Sequence, residues 1–118
     1  METTIKIPKP YLFMLNQIFE LEQKISKLNE QNSIQRNIDK MKRFFETEAL
    51  ADGQGLFYHN PIGESYNVTR TDCEATISGS NHEKLEIIEV LKPVIYINYG
   101  NSKIVAQKAI VIVQSKNK

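Results

Sequence analysis

Hydrophobic and polar positions along this chain change period once. Between Tyr11 and Asp52 there is neither glycine nor proline. Tyr11, Met14, Ile18, Leu21, Ile25 and Leu28 follow one another at alternating three- and four-residue steps, the a/d seam of a helix that packs along a narrow stripe. The next two seam positions, Asn32 and Gln35, are polar, and the apolar series restarts in a new frame with Ile34, Ile38, Met41 and Phe45. Leu28 to Ile34 is a step of six residues, which breaks the seven-residue repeat. The pattern predicts a continuous helix over 11–52, roughly 60 Å long if unbroken, whose seam shifts through a local change of supercoil. The alternative is an antiparallel hairpin turning at Asn29–Ser33, a segment of cap-type residues without glycine or proline. A buried Asn32 would set register and oligomeric state; otherwise it lies exposed where the two seams meet. Six exposed seam residues, at about 1.5–3 kcal/mol each, are too much apolar surface to leave in water. A parallel homodimer through Met14, Ile18, Leu21, Ile25 and Leu28 is therefore expected.

After Gly53 and Gly55, which read as stop signals for the helix, the pattern becomes short and strand-like. Candidate strands are Leu56–Tyr58, Glu74–Ser78, Leu85–Leu91, Ile104–Gln107 and Ala109–Gln114, the last nearly all β-branched. Pro93 separates Val94–Tyr99 as an edge or an independent strand, and Gly100-Asn101-Ser102 reads as a hairpin turn. The predicted fold class is α+β: a long N-terminal dimerising helix carrying a small β-rich head of five to six short strands. The chain divides into an N-terminal arm (1–10, with Pro10 suited to a first helical turn), a coiled-coil stalk (11–52), a β head (53–114) and a frayed tail (115–118).

Composition narrows the function more by exclusion than by assignment. The chain of 118 residues carries 15 basic and 14 acidic side chains. The balance holds in each part, eight of each sign in 1–52 and seven against six in 53–118. Neither part has the excess that nucleic-acid binding asks for. Hydrophobic content of 41% sits at the low end for a globular protein and suits a long exposed helix. No stretch is long and apolar enough for a membrane span. Met1–Ile5 lacks a basic region followed by an apolar block, so a cytoplasmic location without a signal peptide is expected. Without secretion, the glycosylation triplet Asn67-Val68-Thr69 carries no meaning.

Candidate chemistry is sparse, and neither an enzyme nor a cofactor is expected. The single cysteine, Cys73, is flanked by Asp72 and Glu74, which raise rather than lower a thiol pKa. An enzyme using Cys73 is the weakest of three readings. His59 and His82 lie in expected loops with no partner at metal-ligand spacing, so both read as surface residues. Gly53-Gln54-Gly55 lacks the third glycine and the preceding strand of a phosphate loop. The segment Glu64–Glu74 is denser: it gathers Glu64, Tyr66, Arg70, Asp72 and Glu74 into eleven residues between strands. It reads either as a solvated loop of local pairs worth under about 1 kcal/mol each or as a recognition loop on a rigid scaffold.

The order of short motifs in this part of the chain resembles the β domain of GrpE, the nucleotide exchange factor of Hsp70 chaperones. The residues concerned are Pro61-Ile62-Gly63-Glu64, Asp72-Cys73-Glu74-Ala75, Ile88-Glu89-Val90-Leu91, Asn101-Ser102-Lys103 and Ala109-Ile110-Val111-Ile112-Val113. The resemblance spans residues 53–113. It implies a dimeric co-chaperone whose head binds the Hsp70 ATPase domain and opens its nucleotide cleft so that ADP leaves. Glu64, Arg70, Asp72, Glu74 and Lys103 are the partner-binding residues this implies. Departures are visible: Cys73 stands for a family histidine, Lys92-Pro93-Val94 for Lys-Gly-Tyr, and Ala106-Gln107-Lys108-Ala109 for Leu-Arg-Pro-Ala. The short helices that form a four-helix bundle at the family's dimer centre are not expected here. A dimeric scaffold or adaptor whose head docks on another protein is the alternative function.

Overall fold

The computed structural model describes residues 7–28 and 32–116, except for the Asn32 side chain. Two short helices replace the expected stalk: α1 (Lys9–Ile25) and α2 (Asn32–Thr47). Seven strands follow: β1 (Gln54–His59), β2 (Ser65–Tyr66), β3 (Cys73–Ser78), β4 (Leu85–Lys92), β5 (Val94–Tyr99), β6 (Ser102–Gln107) and β7 (Ala109–Ser115). They form two sheets, ordered β1-β5-β6 and β2-β4-β7-β3.

The long dimerising helix is thus overturned. The start of α1 meets the end of α2, where Tyr11 and Phe45 pack edge to face at 5.6 Å. The other end of α1 meets the first turns of α2, where Gln35 Nε2 donates to Glu22 Oε2 at 3.0 Å. The helices therefore run antiparallel. The six-residue step in the seam marks the join between two amphipathic helices, not a supercoil adjustment. Its physical reason is burial: Leu15, Ile18 and Ile25 from α1 and Ile38 and Phe45 from α2 close on Leu56, Ile95 and Ile97 in one core. One straight helix could not bring both apolar stripes to the same sheet face. Two of the five residues assigned to dimerisation, Ile18 and Ile25, are consequently buried in their own fold, while Met14, Leu21 and Leu28 are exposed. Residues 29–31 of the segment offered as the alternative turn, and the side chain of Asn32 with its expected register role, lie outside the described residues.

Pro10 does sit in the first turn of α1, where the Tyr11 amide donates to the Pro8 carbonyl at 2.9 Å. Gly53, at φ +81, makes the left-handed turn after α2. Gly55 has a different role from a stop signal: a Cβ there would lie 2.1 Å from the Glu46 carbonyl oxygen, so α2 crosses β1 too closely for any side chain.

Three layers result: helical hairpin, three-stranded sheet, four-stranded sheet. β5 is central rather than an edge, pairing antiparallel with β1 and β6. Its Ile95 and Ile97 face the hairpin core, while Val94 and Tyr96 belong to a second core with Cys73, Leu85, Ile87, Ala109, Val111 and Val113. A strand covered on both faces reads as an unbroken apolar run, as Val94–Ile97 does. Pro93, fully buried, marks the point where the chain leaves one sheet for the other. β7 pairs parallel with β3 and antiparallel with β4. Two register shifts in β4 accompany the exposure of Ile88 and Leu91, as bulges re-aim side chains. β2 is an addition: it falls inside the segment read as loop. Of the tail read as frayed, Ser115 is part of β7, and residues 117–118 lie outside the described ones.

Candidate functional site

Four of the five residues nominated on the head fall on one connected strip. The turn at Pro61–Glu64 folds Glu64 back towards β4, with the Gly63 amide donating to Ile87 O and the Ile87 amide to Glu64 O, both at 2.9 Å. A second turn, closed by the Arg70 amide on Asn67 O at 3.0 Å, returns Arg70 beside it. Arg70 then donates through Nε to Asp72 Oδ1 and through Nη2 to Glu64 Oε1, each at 2.6 Å, and through Nη1 to Ser65 O at 3.0 Å. One guanidinium thus ties together the start of β2, the loop after it and the entry to β3, which is what its rigid fork of donors suits.

The strip continues at both ends. His59, at the end of β1, places Nε2 at 2.5 Å from Glu64 Oε2. On the other side, Tyr96 of β5 donates its hydroxyl to Asp72 Oδ2 at 3.1 Å. The ammonium of Lys103 lies 4.4 Å from the centroid of the Tyr96 ring, a cation–π contact. His59, Glu64, Arg70, Asp72, Tyr96 and Lys103 therefore form one line across both sheets. Glu74 does not join it: it is exposed on β3, past Cys73. Sequence reasoning missed Tyr96 and set His59 aside as a surface residue. His59 is exposed, and the signal that pairs it with Glu64 was the intervening Asn60-Pro61-Ile62-Gly63 turn. Tyr96 carried only the alternation of β5.

Electrostatics favour one charge state at Glu64, Arg70, Asp72 and Tyr96. Hydrogen bonding from Arg70 outweighs burial and depresses the Asp72 carboxyl to a pKa of about 2. Burial works against ionisation of Glu64, but Arg70 and His59 outweigh it and leave that carboxyl below its ordinary value. Arg70 rises, chiefly through Asp72. Burial, then the bond to Asp72, pushes Tyr96 up to about 12. Cys73 lies directly beneath, 5% exposed. Its thiol is pushed up to about 11, first by burial, opposed by Arg70 and aided by Asp72. Of the two flanking acids expected to raise the thiol, Asp72 does so, with burial the larger cause.

A second polar cluster, not foreseen, fastens the hairpin to the head. Tyr58 of β1 donates to Glu22 Oε1 at 2.5 Å, Lys42 reaches Glu22 Oε2 at 3.3 Å, and the same ammonium lies 4.9 Å from the Tyr58 ring centroid. Burial opposes the Glu22 charge, but Tyr58, Gln35 and Lys42 together lower its pKa. Burial first, then Glu22, raises Tyr58.

A carboxyl serves as a general acid near neutral pH when its pKa is moved up, and a thiol as a nucleophile when its pKa is moved down. Here the carboxyl groups that shift move down, and the thiol and both phenols that shift move up. Among the described residues there is no grouping of His, Cys, Asp and Glu fit for a metal ion. No helix among them is long and apolar enough to cross a membrane. No family model, no curated protein and no solved structure matches this chain.

Proposed function

We propose that this chain is a GrpE-like co-chaperone, working in the cytoplasm, whose β head binds an Hsp70-type ATPase domain and promotes release of ADP. The carrying observation is the convergence of Glu64, Arg70 and Asp72, and of Lys103 through Tyr96, on one strip. These residues were nominated for that role by a resemblance in motif order, and Lys103 comes from a segment apart from the other three. Exchange of this kind needs no catalytic residue. The head has to bind the open state of its partner more tightly than the closed one, and the difference in binding free energy opens the cleft.

The adaptor alternative gains from one observation. Arg70 already holds both carboxylates, and the strip's two acids balance Arg70 and Lys103, so it offers shape more than net charge to a partner. The release rate of a fluorescent ADP analogue from the organism's own Hsp70 separates the two readings. Acceleration that saturates with this protein, and that Lys103→Ala weakens without lowering the melting temperature, is the expected result. A folded protein that leaves the release rate unchanged turns the assignment to the adaptor.

A further inference from the structure

We infer that the sheet end carrying Lys84 and Lys116 binds a small phosphate monoester, its phosphoryl group held by both ammonium groups and its hydroxylated remainder in the cavity beside them. In the antiparallel pair of β4 and β7, Glu86 stands opposite Gln114 and Leu85 opposite Ser115. One step further, Lys84 faces Lys116, and the Lys116 amide donates to the Lys84 carbonyl at 3.0 Å. Ser115 Oγ donates to the neighbouring Glu83 carbonyl at 2.6 Å, which ties the two segments together again. Like charges directly opposed across a ladder destabilise it. Lys84 adds a second cost. At φ +51 it is the one non-glycine residue with positive φ among the described residues, and a side chain is strained in that left-handed region. Among the described residues no carboxylate forms an ion pair with either lysine. The repulsion is therefore not offset within the described chain, and an anion shared by both ammonium groups offsets it.

Two adjoining cavities define the ligand class. Both lysines line one of about 210 Å³, together with Ser65, Tyr66 and Leu85. β2 brings the two hydroxyl groups there by pairing Ser65 with Glu86 and Tyr66 with Leu85. Two ammonium groups and two hydroxyls supply the donors that a doubly charged phosphoryl group accepts. Lys116 is also a wall of a second cavity, of about 420 Å³, lined by Ser78, Ser80, Asn81, Gln114 and Ser115. The loop there is preset, since Asn81 Oδ1 accepts the Glu83 amide at 2.9 Å. Apart from Lys116, that lining offers hydroxyl and amide groups without charge, which suits a sugar or polyol better than an apolar carrier. Glu83 and Glu86 stand within two residues of Lys84 in sequence, yet neither lines either cavity.

Titration of the full, isotope-labelled chain, followed by amide chemical shifts, tests this. The probe is glucose phosphorylated at its primary hydroxyl, with glucose and inorganic phosphate as controls. Saturable shifts are expected at Ser65, Lys84 and Lys116 and at Ser80 and Asn81, with each control binding about tenfold more weakly or worse, because it makes only part of the contacts. Lys84→Gln with Lys116→Gln should weaken the sugar phosphate by about tenfold or more, as hydrogen bonds to a charged group are worth at least that. The same variant should melt no lower than the native chain, since it removes a repulsion, whereas a purely structural role for the lysines predicts a lower melting temperature. Should the double variant unfold, Lys116→Gln and Ser80→Ala, each at an exposed position, carry the test separately. Absence of saturable shifts overturns the inference, as do shifts centred elsewhere or binding unmoved by the lysine variants. Glucose or inorganic phosphate binding as tightly as the sugar phosphate overturns it too. A phosphoserine peptide that binds more tightly than the sugar phosphate overturns the small-molecule assignment.

Discussion

Asn16 and Gln107, 91 positions apart, exchange two amide hydrogen bonds: Asn16 Nδ2 donates to Gln107 Oε1 at 3.0 Å, and Gln107 Nε2 donates to Asn16 Oδ1 at 2.9 Å. Gln107 Nε2 also donates to the Pro93 carbonyl at 3.1 Å. One side chain at the end of β6 therefore holds α1 and the crossover between the sheets together. Gln107 lies in Ala106-Gln107-Lys108-Ala109, a departure from the motif the head resembles, and the contact gives that departure a structural role. Removing one partner strands the other, part-buried amide at a cost of about 1–3 kcal/mol, whereas replacing both with apolar groups is much milder. Asn16→Leu or Gln107→Leu should lower the urea midpoint clearly, and the double variant should fall well short of the sum. Additive losses would mean the pair is not coupled.

The close crossing of α2 over β1 makes Gly55 the one glycine whose Cβ would meet backbone. Gly55→Ala forces α2 away from β1, because a methyl cannot sit 2.1 Å from the Glu46 carbonyl oxygen. The expected loss is about 2–4 kcal/mol, in the overpacking range and above. Chemical denaturation measures it, and a neutral substitution would contradict the packing.

Stability should fall on the acid side, and Arg70 should set how steeply. Asp72 has a folded pKa of about 2, below its ordinary value. The unfolded chain therefore binds more protons in that window, so the stabilisation is present above about pH 4 and is lost as pH drops towards about 2. Glu64 and Glu22 shift the same way and add to the same limb. Arg70→Met should cost about 1–2 kcal/mol near neutrality and flatten the decline between about pH 5 and about pH 2. Denaturation midpoints across that range give both numbers. An unchanged acid limb in the variant would show that Arg70 does not depress these carboxyl groups.

Cys73 should be slow to react. Its thiol is buried and its pKa lies at about 11, so little thiolate exists at neutral pH. An aromatic disulfide reagent should modify the native protein far more slowly than the urea-unfolded chain. Cys73→Ser should retain partner binding at a modest cost in stability. Equal rates in the native and unfolded states would reopen the nucleophile reading.

Much of the head was legible because strands and turns declare themselves locally. Six runs of alternating or β-branched residues and the Gly100-Asn101-Ser102 turn were read close to where β1 and β3–β7 stand. β2 escaped because two residues, Ser65 and Tyr66, are too few to show a period; they pair only because Glu86 and Leu85 lie opposite. The central place of β5 escaped too, since Pro93 reads as an edge signal until both neighbouring sheets are present to bury it. Glu64, Arg70 and Asp72 could be nominated from their density in one segment. Their link to Tyr96 and Lys103 could not, because it spans two sheets.

The helical part divides most sharply. Sequence alone determined that 11–52 is helix-forming and apolar on a stripe, since propensity and period are properties of neighbouring residues. It also exposed the flaw in the heptad between Leu28 and Ile34. Only the tertiary structure decided that the flaw is a fold-back, which turns Ile18 and Ile25 inward and leaves Met14 and Leu21 at the surface. The same apolar stripe lowers its free energy equally well against a second copy or against the chain's own sheet. Which of these wins depends on the face that β1 and β5 jointly offer, and no local stretch of residues encodes that face.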